Sequence, residues 1–238
     1  MHMKSKSVFF KISRTWSFND KVSKVFDQHV NQSIPLYKEF HKQIAKISEF
    51  YCKDDSTIYD LGCSTGKFIM EISKVKKQNL NIIGIDDSKK MIHLCKLKTK
   101  KIKKNKITLL CGDMFNLKFK KADLIVCCLV LPFFIRAKQI KLIDKIYKSL
   151  NSGGVAIFLN KSISKHAQFE NIFNQLYSDF KLSKGILARD VLNKTQSLRS
   201  AHTINTTEDD LKLFKKIGFK KIDIFFKYLN FTGFLVEK

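Results

Sequence analysis

The sequence has little proline and little glycine, two and nine residues in 238. That excludes collagen-like and proline-rich chains, which are far richer in both. It also lacks an apolar run near the roughly 20 residues that a membrane helix needs. The longest candidate, residues 124–135, is too short and holds Pro132. The basic N-terminus, residues 1–7, is followed by charged residues, where a signal peptide would carry a long apolar stretch. A soluble, cytoplasmic protein with no membrane association is expected. No CxxC pair occurs among Cys52, Cys63, Cys95, Cys111, Cys127 and Cys128. Reduced thiols are therefore expected, with neither a metal site nor a disulfide framework. What is plentiful is hydrophobic sequence, at 44%, enough to build a substantial core.

Acidic residues are also scarce, 21 against 45 Lys and Arg, for a net charge of +24. Such a surplus invites a nucleic-acid reading. The lysines, however, are spread along the chain, which is rich in Lys, Ile, Asn and Phe, all with A/T-rich codons. The densest run, residues 96–106 (KLKTKKIKKNK), has no aromatic on which a base could stack. Coding bias is the expected source of the charge, and direct nucleic-acid binding is expected to be weak.

Residues 8–50 read mostly as helix, broken at Ser33 and Pro35, with Phe40, Ile44, Ile47 and Phe50 on one face of the second segment. From Thr57 the rhythm changes to short apolar strands alternating with helices. Strands are expected near residues 57–63, 81–86, 106–111, 123–131 and 155–159. This alternation predicts a parallel sheet covered on both faces. Cys127 and Cys128, adjacent in a strand, should point to opposite faces. Residues 181–206 look polar and irregular. Thr206 or Thr207 should cap a helix ending at Gly218, and two further strands form an antiparallel C-terminal pair.

The chemistry concentrates in Tyr59-Asp60-Leu61-Gly62-Cys63-Ser64-Thr65-Gly66, between the first strand and its helix. Gly62 permits a tight turn and close approach of a ligand to the backbone. The N–H groups opening the helix suit a polar or anionic group. Asp86 ends the second strand, where a carboxylate can accept from both hydroxyls of a ribose. Gly112-Asp113-Met114 follows the third strand, where Asp113 can accept from an adenine amino group and Met114 can cover the ring. All three positions lie at the carboxyl ends of strands, where open α/β sheets bind ligands.

The glycine loop resembles motif I of S-adenosylmethionine-dependent methyltransferases. The chain as a whole resembles the carboxy-S-adenosyl-L-methionine synthase family. Matching pieces are Trp16-Ser17-Phe18-Asn19-Asp20-Lys21-Val22, Ser33-Ile34-Pro35-Leu36-Tyr37, the Gly62-Cys63-Ser64 loop, Ile85-Asp86-Asp87-Ser88, Gly112-Asp113, Gly218-Phe219 and Leu229-Asn230-Phe231. The resemblance implies a Rossmann-like class I methyltransferase α/β fold. Its sheet would be mainly parallel and seven-stranded, with an antiparallel C-terminal strand. Residues 1–50 would form an N-terminal helical lid and residues 51–238 the cofactor-binding domain. It further implies a homodimer that converts prephenate and S-adenosylmethionine to carboxy-S-adenosylmethionine and phenylpyruvate, for wobble-uridine modification of tRNA.

Carried over position by position, the resemblance places the cofactor contacts, for S-adenosylmethionine or carboxy-S-adenosylmethionine, on Tyr37, Gly62, Cys63, Ser64, Asp86, Asp87, Asp113, Met114 and Cys127. Cys127 stands where the family has Asn. Thr195 stands where the family has the Arg that holds the carboxylate, so Thr195 is assigned to substrate. Arg199, one helical turn on, is the expected catalytic and substrate-binding cation, and Arg189 the second choice. The alternative is an ordinary methyltransferase acting on a small molecule or tRNA.

Overall fold

In the computed structural model, residues 20–199 and 201–238 are described, with the side chains of 20–25 and 199 excepted. The helix expected over residues 8–19, with Trp16-Ser17-Phe18-Asn19, lies outside them. Two helices come first, α1 (Asp20–Ser33) and α2 (Tyr37–Tyr51). Between them the chain turns at Pro35, and Leu36 takes a left-handed conformation, φ 56°.

Next come β1 (Thr57–Leu61), α3 (Lys67–Ile72), β2 (Asn81–Asp86), α4 (Lys89–Thr99), β3 (Lys106–Cys111) and β4 (Ala122–Cys128). A 3-10 turn, Leu131–Phe133, leads to α5 (Arg136–Ser149), β5 (Leu150–Ile163) and α6 (Ala167–Ser183). The chain ends with α7 (Ala188–Arg199), β6 (Asn205–Thr206), α8 (Thr207–Ile217), β7 (Lys221–Tyr228) and β8 (Phe231–Glu237).

The sheet runs β3-β2-β1-β4-β5-β8-β7, and β6 pairs with the end of β5 as a short eighth strand. The first five strands are parallel, and β8 is antiparallel to both β5 and β7. The expected seven-stranded mixed sheet is therefore present, with the two-residue β6 added.

Strand order reverses at β1, because β2 and β4 flank it. A reversal leaves a crevice above the carboxyl ends of the two central strands, the usual ligand site of open α/β sheets. One sheet face carries Leu61, Ile125, Phe158 and Phe234 against Leu142, Ile146 and Phe214 of α5 and α8. The other carries Ile58, Leu124 and Ile157 against Phe40 and Ile44 of α2 and Phe68 and Ile72 of α3. Cys127 joins the first layer and Cys128 packs against the second, as alternation requires.

Two helix ends follow their sequence signals. The Ser88 hydroxyl accepts from Met91 N–H, and Thr206 accepts from Asp209 N–H, which satisfies amides that the first helical turn leaves unpaired. Three expectations fail. The strand expected over residues 123–131 ends at Cys128, where Leu129 turns left-handed at φ 58°. Phe50, expected on the apolar face of α2, is 88% exposed. Residues 181–206 are not irregular, because α7 occupies Ala188–Arg199. Its single buried apolar position, Val191, gives too weak a period to read from sequence.

Candidate active site

Motif I crosses from β1 to α3 in a turn that needs left-handed backbone at Gly62 (φ 71°), Ser64 (φ 49°) and Gly66 (φ 84°). A Cβ on Gly62 would sit 2.4 Å from Val130 Cγ2, so only glycine lets the loop lie against the segment after β4. The N–H groups of Gly62 and Cys63 donate to the Ile85 carbonyl at 2.8 and 3.0 Å, which ties the loop to the end of β2.

Asp86 stands at the centre of this arrangement. One carboxylate oxygen accepts from Ser64 N–H and the other from Ser88 N–H, both at 2.9 Å. Burial raises its pKa, while these two donors hold it back. Each oxygen keeps a further lone pair for a hydroxyl donor.

Asp60 lies within motif I, two residues before Gly62. Its carboxyl is buried, and Oδ2 has no hydrogen-bond partner among the described residues. Burial, then the nearby Asp86 charge, pushes its pKa up to about 8. An orphaned carboxyl oxygen beside a glycine turn suits a ligand that brings a cation or a donor.

Tyr37 opens α2. Its hydroxyl is held well above the ordinary tyrosine range, by burial first and then by Asp27, Cys128 and Asp60. Tyr37 and Asp60 therefore share one environment, although 23 residues separate them in the chain (60 − 37). Helix α1 closes over the loop, with Asp27 accepting from Thr65 Oγ1 at 2.6 Å and pairing with Lys98.

The remaining assigned residues divide. The Cys63 thiol is pushed up by its hydrogen bond with Cys95 and by burial, so it offers the ligand its backbone and no thiolate. Cys127 is fully buried, and burial, then Asp60, keeps it a thiol. Asp87 is exposed beside Asp86. Asp113 is exposed at the rim, where Oδ1 accepts from Phe115 N–H at 2.9 Å, and Met114 is buried in the core layer beneath it.

Thr195 turns outward on α7 and donates to the Val191 carbonyl at 2.8 Å. Arg189 is exposed, 3.9 Å from Asp190. Arg199 ends α7, and its side chain lies outside the described residues. Beside the buried Val191, Lys194, a residue to which the sequence assigns no role, also points inward from α7. Its Nζ donates to His29 Nε2 at 2.8 Å and to Ser33 Oγ at 3.3 Å.

Comparison with known proteins gives the family. Residues 58–154 match the family model described as a methyltransferase domain. The carboxy-S-adenosyl-L-methionine synthase of Staphylococcus epidermidis is 34% identical over 94% of this chain and 97% of its own length. That of Nautilia profundicola is 32% identical over 95% and 96%. The chain belongs to the carboxy-S-adenosyl-L-methionine synthase family. Members are S-adenosylmethionine-dependent transferases, and this chain is one.

Solved structures agree on the fold. A Methanococcus maripaludis protein described as a putative S-adenosyl-L-methionine-dependent methyltransferase superposes with a TM-score of 0.64, at 19% identity over 94% of this chain and 95% of that one. The magnesium protoporphyrin IX methyltransferase of Synechocystis, solved with bound S-adenosylmethionine, gives 0.62 at 13% identity over 93% of each chain.

Proposed function

We propose that this chain makes carboxy-S-adenosylmethionine and phenylpyruvate from S-adenosylmethionine and prephenate, in support of tRNA wobble-uridine modification. The observation that carries the reading is the crevice above β1. There a glycine-only turn, the two-donor carboxylate of Asp86 and the orphaned Asp60 oxygen meet in one place.

In this reading S-adenosylmethionine supplies the sulfonium-activated carbon that receives the carboxyl group. Gly62, Cys63 and Ser64 admit it against the loop backbone. Asp86, with Asp87 beside it, accepts from its ribose. Asp113 and Met114 border its base, and Cys127 lines the floor where the family has Asn. Asp60 and Tyr37 face its charged end. Helix α1, the lid part of residues 1–50, keeps water from the reacting groups, which matters because released CO₂ is lost if it reaches solvent. Arg199 or another cation near α7 holds carboxylate.

A homodimer fits this reading. Phe169, Ile172 and Leu176 are exposed along one side of α6, an apolar stripe suited to a second copy. A cytoplasmic location fits the free cysteines.

A methyltransferase is the second reading, favoured by the outward Thr195, which leaves no cation at the family's arginine position. One assay separates them. Purified protein incubated with both substrates should release phenylpyruvate and a nucleoside heavier than S-adenosylmethionine by one CO₂. Absence of both products would remove the synthase reading and leave the methyltransferase.

A further inference from the structure

Three lysines from three different elements meet beyond the carboxyl end of β5. Lys161 comes from the end of that strand, Lys181 from α6 and Lys194 from α7. The Tyr177 ring sits among them, with Lys161 Nζ 5.3 Å and Lys181 Nζ 4.1 Å from its centre. The Tyr177 hydroxyl donates to the Ser33 carbonyl at 2.7 Å, while Lys194 reaches the Ser33 hydroxyl. Lid, α6 and α7 are thus knotted at Ser33, four residues before Tyr37. His202 packs edge-on against Phe133 at 4.5 Å, and both its ring nitrogens are buried without a hydrogen-bond partner among the described residues.

Among the described residues, negative charge is thin around Lys161 and Lys181. Glu170 is the carboxylate that acts on Lys161, and its oxygens already accept from Asn230 and from Ser164 N–H. Lys161 and Lys181 have no ion pair among the described residues. Burial first, then the neighbouring lysines, pushes Lys194 down to about 7 and Lys181 down to about 8. Gathering like charges in a poorly hydrated place works against folding unless something repays it.

The cluster also borders the crevice. Leu159, two residues before Lys161, pairs with Cys128 at the end of β4, and Thr203 N–H donates to the Pro132 carbonyl just beyond it.

We propose that Lys161, Lys181 and Lys194 form a subsite that binds a dicarboxylate substrate, so that lysines on three elements supply positive charge that Thr195 cannot. The inference rests on the synthase reading for the identity of that substrate as prephenate. Cations spread around an aromatic ring suit two separated carboxylates on an organic body. A compact tetrahedral anion would engage only part of the set.

Calorimetry on the full-length protein with S-adenosylmethionine present tests it, using prephenate, malonate and inorganic phosphate as probes. Lys161→Met and Lys181→Met should each weaken prephenate and malonate by about tenfold or more, the loss of one charge-assisted contact. S-adenosylmethionine affinity should stay within about twofold, below half a kcal/mol. Lys181→Arg should retain prephenate binding. Removing a repelled lysine should also raise the unliganded melting temperature.

Unchanged prephenate affinity in both Met variants overturns the subsite, as does a lower melting temperature or failure to fold. Phosphate binding tighter than malonate overturns the dicarboxylate assignment. If the wild type binds prephenate through these lysines yet makes no phenylpyruvate, the subsite stands and the synthase reading falls. If it makes phenylpyruvate and both Met variants do so with unchanged KM, the reverse holds.

Discussion

Asp86 holds the fold and, in the proposed reading, would also hold the ligand. It fixes the motif I loop through Ser64 N–H and the start of α4 through Ser88 N–H. Asp86→Ala should therefore weaken S-adenosylmethionine by more than about tenfold, since each charge-assisted hydrogen bond contributes about 1.5–3 kcal/mol. Calorimetry reads this directly, and unchanged affinity would remove the ribose assignment. Gly62 makes a stricter demand. Its φ of 71° and the 2.4 Å approach of Val130 both exclude a side chain. Gly62→Ala should cost about 1–3 kcal/mol in a urea titration. It should also abolish cofactor binding at concentrations that saturate the wild type.

Among the elements, α8 is the one whose boundaries the sequence states most openly. Thr206 caps it, Glu208, Asp209 and Asp210 stand in its first turn, and Gly218 ends it at φ 115°. Acidic groups at the N-terminus also complement the helix dipole. Thr206→Ala should lower stability by about 1 kcal/mol, visible as a lower melting temperature with cofactor affinity unchanged. Loss of cofactor binding in that variant would mean that α8 reaches the crevice. Helix α7 is the opposite case. Its polar sequence hid it, and its one lysine reaches α1 through His29 and Ser33.

For the whole molecule, pH dependence is set by groups that folding buries. Histidines 29, 41 and 202 are lowered from 6.5, His29 to about 3 and the other two to about 4, with burial the first cause in each. Depressed values mean that the unfolded chain takes up protons first as pH falls. The stability these groups contribute is complete above about 6.5 and drains away toward 4. Asp60, raised to about 8, works in the other direction, since the native state keeps its proton up to that pH. The three histidines predict a loss of stability between pH 6.5 and 4, which Asp60, Asp86 and Asp210, all raised by burial, oppose in part. The denaturation midpoint in urea should fall across that interval, and a flat profile would contradict the neutral, buried state of the histidines.

The local code was legible wherever short-range physics decides. Apolar strands with turn residues at their ends gave β2 and β3 with the observed limits, and Ser88, Thr206 and Gly218 marked helix ends through their own backbone chemistry. Motif I was readable because glycine is irreplaceable at a left-handed turn under Val130. Long-range placement was not legible. Tyr37 comes within electrostatic range of Asp60 only because the Pro35–Leu36 turn and the burial of Phe40 and Ile44 set α2 against the sheet. Lysines 161, 181 and 194 look alike among 45 basic residues, and no period connects them. Charge carries no directional signal along a chain. The packing of β5, α6 and α7 around Tyr177 brought those three together, while the same packing turned Thr195 away.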